Sequence, residues 1–279
     1  MKIGIQQLPP GGTAASAGES AAPGAGCASC PLIKACLPGN FNQREIQLFE
    51  NVVAGRRRIA RHASLFRKHD RLGMLYAVRF GQFKLIRDDQ LGQQHVAGFH
   101  MAGDLVGLDG IATGQHDFRL MALENSEVCA ISFAALASVM SVEPAIQRKF
   151  LQTMSAALIE EHDHSILLST TSLDERFAIF LMRYGEKYAR LGYSDKSFRL
   201  SMSRGDIGSY IGTTVESVSR LIARFNAQGA VSIDGRAVTL HDRAYLHALI
   251  AGCAPALGRA EAQPATSTAL GQCMGAGGR

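Results

Sequence analysis

Four cysteines carry the strongest chemical signal in this chain. Cys27, Cys30 and Cys36 fall in one run, CASCPLIKAC, and Cys129 lies far downstream. Sulfur is a soft ligand, and four thiolates suit either a tetrahedral zinc ion or an iron–sulfur cluster. Spacing alone leaves both open. Structural zinc sites usually use two close CxxC pairs, and only Cys27 and Cys30 form one here. Cys253 and Cys273 stand near the C-terminal end and are not assigned to the set. Six cysteines in 279 residues do not read as a disulfide framework. The histidines show no HExxH-type spacing, so His62, His69, His95, His100, His116, His162 and His164 read as structural or exposed.

A second set of residues suits DNA. The stretch from Ser203 to Gly212 predicts a short helix, with Ser203 as N-cap and Asp206 three positions later. Thr213 to Phe225 predicts a second helix, capped by Thr213 or Thr214. Val215, Val218, Leu221, Ile222 and Phe225 are expected to face inward. Glu216, Ser217, Ser219, Arg220 and Arg224 are expected to face outward. Two helices joined by a glycine-containing turn are the helix-turn-helix signature. Arg220 can contact guanine O6 and N7, Glu216 can accept from cytosine N4, and Ser219 can donate or accept. Thr213, Thr214, Ser217 and Arg224 are the expected phosphate contacts. Asp234-Gly235 between β-prone runs predicts a hairpin, which supplies a wing.

Other elements must position these groups. Residues 1–26 are rich in Gly, Ala, Pro and Ser and predict a disordered leader; residues 251–279 predict a similar tail. From Phe41 to Ser141 the pattern is short and β-like. Met74 to Ile86 reads as strand on either side of Gly81, and Ala122 to Phe133 as another strand pair containing Cys129. Many short strands suggest a barrel or a double-sheet roll. The period changes at Pro144. Ile146, Phe150, Met154, Leu158, Glu161, Ser165 and Leu168 then recur every three or four residues, which predicts a long helix over 144–170. Its length suits pairing with a second copy. Glu161 would face its own symmetry mate there, and two close carboxylates repel. A further helix from Leu173 to Leu191 opens a smaller domain over 171–250.

Composition permits this reading without requiring it. A hydrophobic fraction of 47% is ample for a core, and a net charge of +5 is mild basicity. No long apolar run predicts a membrane span, and the N-terminus makes a poor signal peptide, so the cytoplasm is the expected location.

These residues together resemble the FNR (fumarate and nitrate reductase regulator) branch of the CRP/FNR superfamily. The resemblance runs from about Cys27 to Leu249. It rests on the cysteine run with Cys129, on GFHMAGDLVGLDGI, on FRLSMSRGDIGSYIG and on TVESVSR. It implies an α+β fold: a cyclic-nucleotide-binding-like β-roll with its cysteine loop over 27–143, a long dimerisation helix, and a C-terminal winged helix-turn-helix. It implies that Cys27, Cys30, Cys36 and Cys129 hold a [4Fe–4S] cluster. Glu216, Ser219 and Arg220 match the residues that read TTGAT-type half-sites, and Glu161 matches an acidic interface position that opposes dimerisation. The implied protein is an oxygen-responsive transcription regulator, not an enzyme, working as a homodimer on double-stranded DNA and contacting RNA polymerase.

Some features depart from the family pattern. Ala35 stands before the third cysteine where well-known members carry leucine, and Pro31 follows the second, so the shielding of the cluster is expected to differ. The turn at Gly92-Gln93 lacks an acidic residue tied to one polymerase contact. No arginine–serine phosphate clamp is evident between Gly103 and Thr113, so cyclic nucleotide binding is not expected. Two alternatives stand beside the main reading: a zinc- or thiol-based redox regulator, and an iron–sulfur electron-transfer protein.

Overall fold

The structure, a computed structural model, describes residues 26–253 apart from residue 90. Most of the expected leader and tail, and Cys273, lie outside the described residues.

Two four-stranded sheets form a roll. β1 (Val53–Ile59), β8 (Ser126–Ser132), β3 (Met74–Phe80) and β6 (Leu105–Val106) make the first, in that order. β2 (Ser64–Phe66), β7 (Arg119–Ala122), β4 (Gln82–Asp88) and β5 (Gln94–Met101) make the second. The strands on either side of Gly81 therefore do not pair with each other. Gly81, at φ +86°, turns the chain from one sheet into the other. The expected strand pair at 122–133 is likewise split between the sheets.

Alternation along β3 shows why this strand is apolar from Met74 to Val78. Tyr76 and Val78 point into the roll, beside Phe83, Leu120 and Val128. Leu75 and Ala77 point out, onto a cluster built from α1 (Gln43–Glu50), α2 (Phe133–Val142) and the start of α3 (Pro144–Thr170). Helices α1 and α2 fall where the sequence reads as β. The run FAALASVMSV is too uniformly apolar to show a stripe, and its one local signal is Ser132, whose Oγ accepts from the Ala135 N–H at 3.3 Å. α3 starts at the expected proline and runs for 27 residues.

The C-terminal part contains α4 (Leu173–Arg190), β9 (Ser197–Arg199), α5 (Arg204–Ile211), α6 (Val215–Ala227), β10 (Val231–Asp234), β11 (Ala237–Leu240) and α7 (Arg243–Ile250). Phe177 of α4 meets Phe225 of α6 edge-on at 5.2 Å. Burying such a side chain contributes about 1.5–3 kcal/mol relative to leaving it in water. β11 pairs with β10 through the Asp234-Gly235 hairpin and with β9 on its other side. Val96, Phe99 and Met101 of the second sheet, and Leu123 just after β7, join this same core. Polar contacts seal the junction: the Val96 N–H donates to Ser209 Oγ at 2.9 Å, and the Tyr184 hydroxyl donates to Gln82 Oε1 at 3.0 Å.

Candidate metal centre and nucleic-acid interface

The three clustered cysteines lie on a run of turns, beginning with a short 3-10 turn over Cys27–Ser29. Cys129 sits in the middle of β8, directly opposite Arg56 on β1 and Ala77 on β3. Cys27, Cys36 and Cys129 pack against the same apolar cluster, which also contains Ile146 and Phe150 of α3. Burial pushes the Cys27 thiol up to about 11, with Cys129, Glu50 and Cys30 adding repulsion and Arg56 opposing it. Burial pushes Cys36 up to about 12, against a hydrogen bond from the Leu37 backbone and with the other three thiols adding. Cys129 is raised for the same first reason, with Arg56 opposing.

This donor set fits a cationic metal centre in chemistry. Four thiols share one half-buried region and disfavour one another's ionisation, which a bound cation reverses. They are not drawn together as ligands: among the described residues, no three His, Cys, Asp or Glu stand in a group that could hold a metal ion. Arg56 and Arg79 bring positive charge to this region. Arg79 donates to Glu127 Oε1 at 2.6 Å and lies near Cys30. Neither arginine was singled out by sequence, because only the strand register brings them beside the cysteines. Pro31 lines a cleft between the turns and the end of α4, and Ala35 lies against Gly103.

At the other end, local capping builds the recognition face. Ser203 and Asp206 form the expected capping box on α5. Thr214, rather than Thr213, caps α6: its Oγ1 accepts from the Ser217 N–H at 3.3 Å and donates to Ser217 Oγ at 3.2 Å. Thr213 spends its N–H on the Gly208 carbonyl at 2.8 Å. Gly208 lets the helices approach, since a Cβ there would stand 2.9 Å from the Thr213 carbonyl. Glu216 and Arg220 are exposed. The Glu216 carboxyl is held below its usual range by its own N–H and the Thr214 hydroxyl, with Arg220 adding. Ser219 Oγ donates to the Val215 carbonyl at 3.0 Å and accepts from Arg204 Nη1 at 3.3 Å. Arg204 thus joins the exposed face, and its position just after the Ser203 cap was the available signal. Two expectations change. Val215 is 43% exposed rather than inward, because it opens the helix beyond the core. Arg224 turns back to pair with Asp174 of α4.

The family description "Cyclic nucleotide-binding domain" matches residues 56–143, and "Crp-like helix-turn-helix domain" matches residues 175–249. The Fumarate and nitrate reduction regulatory protein of Escherichia coli (strain K12) is 36% identical over 216 residues, covering 77% of this chain and 86% of that protein. That of Salmonella typhimurium is 36% identical over 223 residues, 80% of this chain and 89% of its own length. The chain belongs to the fumarate and nitrate reduction regulatory (FNR) family. Among solved structures, FixK2 from Bradyrhizobium japonicum aligns with a TM-score of 0.65 at 26% identity, covering 71% of this chain and 97% of FixK2. This FNR-family protein is therefore a transcription regulator with a helix-turn-helix DNA-binding domain, and not an enzyme. No helix among its described residues is long and apolar enough to cross a membrane.

The stripe expected on α3 divides in this FNR-family structure. Ile146 and Phe150 are buried in the core shared with the cysteines, so they cannot meet a partner, and Met154 packs on the edge of that core. The large exposed apolar residues of the helix are Leu151, Leu158, Ile159 and Ile166. Glu161 and Ser165 are exposed beside them, and Leu168 is half-buried. Glu161 also rims a cavity with Phe99, His164 and Tyr210. Loss of hydration there, with Glu160 adjacent, raises its carboxyl above the usual range, and Lys187 opposes the rise.

Proposed function

We propose that this chain is a redox-responsive transcription regulator. In this reading it binds TTGAT-like palindromic DNA as a homodimer when Cys27, Cys30, Cys36 and Cys129 hold a [4Fe–4S] cluster. The observation that supports it best is the shared core. Cys27, Cys36 and Cys129 and the first turns of α3 pack into one apolar cluster, so ordering the cysteine turns bears directly on the root of the pairing helix. A bound cluster would supply an oxygen-labile tie between those turns and β8.

The chain's own residues supply the rest. Leu151, Leu158, Ile159 and Ile166 offer the apolar face of a helix pair, and Glu161 sets a repulsion against it. A dimer poised near balance is switched from 1:99 to 99:1 by about 5.5 kcal/mol. Two copies of α6 then meet successive major grooves about 34 Å apart. Glu216, Ser219 and Arg220 read bases; Thr213, Thr214 and Ser217 position the phosphates, with Arg224 joining only if it leaves Asp174. The functional divisions are the cysteine turns and roll over 27–143, the pairing helix over 144–170, and the DNA-binding unit over 171–250. RNA polymerase is the protein partner and the cytoplasm the location.

Cyclic nucleotides are not ligands in this reading. Two backbone donors of the loop after β6 are already taken by a carboxylate of the same loop. Asp109 accepts the N–H of Asp117 at 3.0 Å and that of Phe118 at 3.2 Å, and its other oxygen lies 3.2 Å from His116 Nδ1. His116 is buried, stacked on Phe66 at 3.9 Å.

Anaerobic purification tests the reading. A brown protein with broad absorption near about 400 nm, bleaching in air, is the expected result for a four-thiolate cluster. Its binding to a TTGAT palindrome should be lost on bleaching. A colourless protein carrying one zinc ion, or DNA binding indifferent to air, would overturn it.

A further inference from the structure

Lys187 stands where three parts of the molecule meet. It belongs to α4, and its Nζ lies 3.3 Å from Glu160 Oε1 on α3 and 3.6 Å from Asp104 Oδ2 in the turn after β5. It also donates to the Phe99 carbonyl at 3.4 Å. Its side chain is 13% exposed, that of Asp104 25% and that of Glu160 50%, so the Asp104 contact is the more sheltered from water. Burial alone would lower the ammonium pKa, but Asp104 and Glu160 outweigh it and keep the group charged. A mostly buried cation held by carboxylates from two other elements ties the three together, because parting them leaves the charge without its partners.

The turn that carries Asp104 is also where the cysteine turns rest. Gly103 has φ +92°, and a Cβ there would stand 2.9 Å from the Ala35 carbonyl and 3.1 Å from the Ala35 Cβ. Ala35 directly precedes Cys36. The turn is tied to β3 on its other side: the Gly103 N–H donates to the Val78 carbonyl and the Val78 N–H donates to the Asp104 carbonyl, each at 2.9 Å. Asp104 also accepts from the Met101 N–H at 3.0 Å. On this side a displacement of Ala35 runs directly into the turn. It meets backbone at Gly103, and the next residue holds Lys187.

We propose that Lys187 is a positioning residue that couples the cysteine turns to the pairing helix and the DNA-binding unit, through Gly103-Asp104 on one side and Glu160 on the other. It touches neither DNA nor the cysteines. Glu160 adjoins Glu161, so the same contact bears on the residue set against pairing. The inference rests on the reading that the four cysteines hold a cluster.

The test measures DNA affinity of the full chain with and without its iron–sulfur loading, in wild type, Lys187→Met, Lys187→Arg, Asp104→Asn and Glu160→Gln. The quantity is the ratio of loaded to unloaded affinity, with iron content and melting temperature recorded beside it. Lys187→Met should reduce the ratio by at least about fivefold, the low end of ordinary coupling, at unchanged iron content. Lys187→Arg should restore most of it. Asp104→Asn and Glu160→Gln should each reduce it in part, and they serve if Lys187→Met folds poorly. A wild-type ratio of one overturns the cluster reading and the relay with it. A responsive wild type matched by every variant overturns the relay alone.

Discussion

Lys84 on β4 and Asp206 on α5 join the roll to the DNA-binding unit through a 2.5 Å contact, with side chains only 18% and 14% exposed. The same carboxylate accepts from the Ser203 N–H at 3.0 Å and from Ser203 Oγ at 2.8 Å. One residue therefore begins a helix and anchors a domain. Burial would raise the Asp206 carboxyl, but Lys84 and Ser203 hold it below its usual 3.8.

Lys84→Met should cost about 2–3 kcal/mol at neutral pH. Breaking a fully buried pair costs about 3–5, and here Ser203 still donates. The sign with pH follows from the lowered folded value. The stabilisation is fully present above the unfolded value near 3.8 and is lost as pH falls through the folded one. Urea melts should therefore show a gap between wild type and variant at neutral pH that closes on acidification below about pH 4. A gap unchanged down to about pH 3 would contradict the assignment.

His164 gives a second pH dependence. Its ring lies flat on Tyr210 at 4.1 Å, and its Nε2 lies 3.0 Å from the Tyr210 carbonyl. Burial lowers its pKa below 6.5, against the Tyr210 hydrogen bond, with Arg183 adding. A lowered folded value means that the stabilisation is present above the unfolded value and lost as pH falls through the folded one. His164→Phe should remove that fall in thermal melts taken from neutral pH into the acid range, while keeping the stacking.

The two halves of the α3 stripe should respond differently. Ile146→Ala should destabilise the chain by about 2–5 kcal/mol, as core truncations do. Leu158 is 57% exposed in the single chain. Leu158→Asp should leave the stability of the single chain within about 0.5 kcal/mol and lower the dimer fraction in sedimentation. Glu161→Ala should raise the cluster-free dimer fraction.

The arginines of α6 should separate in the same way. Arg220→Ala should leave stability unchanged and lose about 1–3 kcal/mol of discrimination at one base pair. Arg224→Ala leaves Asp174, 13% exposed, without its pair. Its main effect should be a loss of stability of about 1–3 kcal/mol, with the salt dependence of DNA binding unchanged.

Gly103→Ala tests the contact under the cysteine turns. The left-handed backbone costs about 1–2 kcal/mol for a residue with a Cβ, and the new carbon meets the Ala35 carbonyl. Faster alkylation of Cys36 than in the wild type is the expected outcome; equal rates would show that the turns do not rest there.

Signals carried by neighbours in sequence were legible. The caps Ser203 and Thr214, the Asp234-Gly235 hairpin and the proline opening α3 all act within four residues, and each stands in the structure. What needed a distant partner was not. Periodicity marks Ile146 and Leu158 as one stripe, but cannot tell which body covers each end. Arg224 looks outward on its own helix until α4 supplies Asp174. Arg56 becomes a neighbour of Cys129 only through the pairing of β1 with β8. The cysteine set was recognisable by residue type, yet its packing against α3 depends on the whole roll.

The pairing of β1 with β8 also fixes an order of events in synthesis. The first sheet joins strands from opposite ends of the roll, at Val53–Ile59 and Ser126–Ser132. Such long-range pairing forms slowly and only after the later strand has left the ribosome. Cys129 is therefore the last of the four thiols to arrive, and it arrives on the strand that closes the roll. A nascent chain exposes three cysteines with no fixed fourth. Under the proposed reading, completion of the ligand set coincides with closure of the first sheet, which ties loading of the cluster to the quality of the fold.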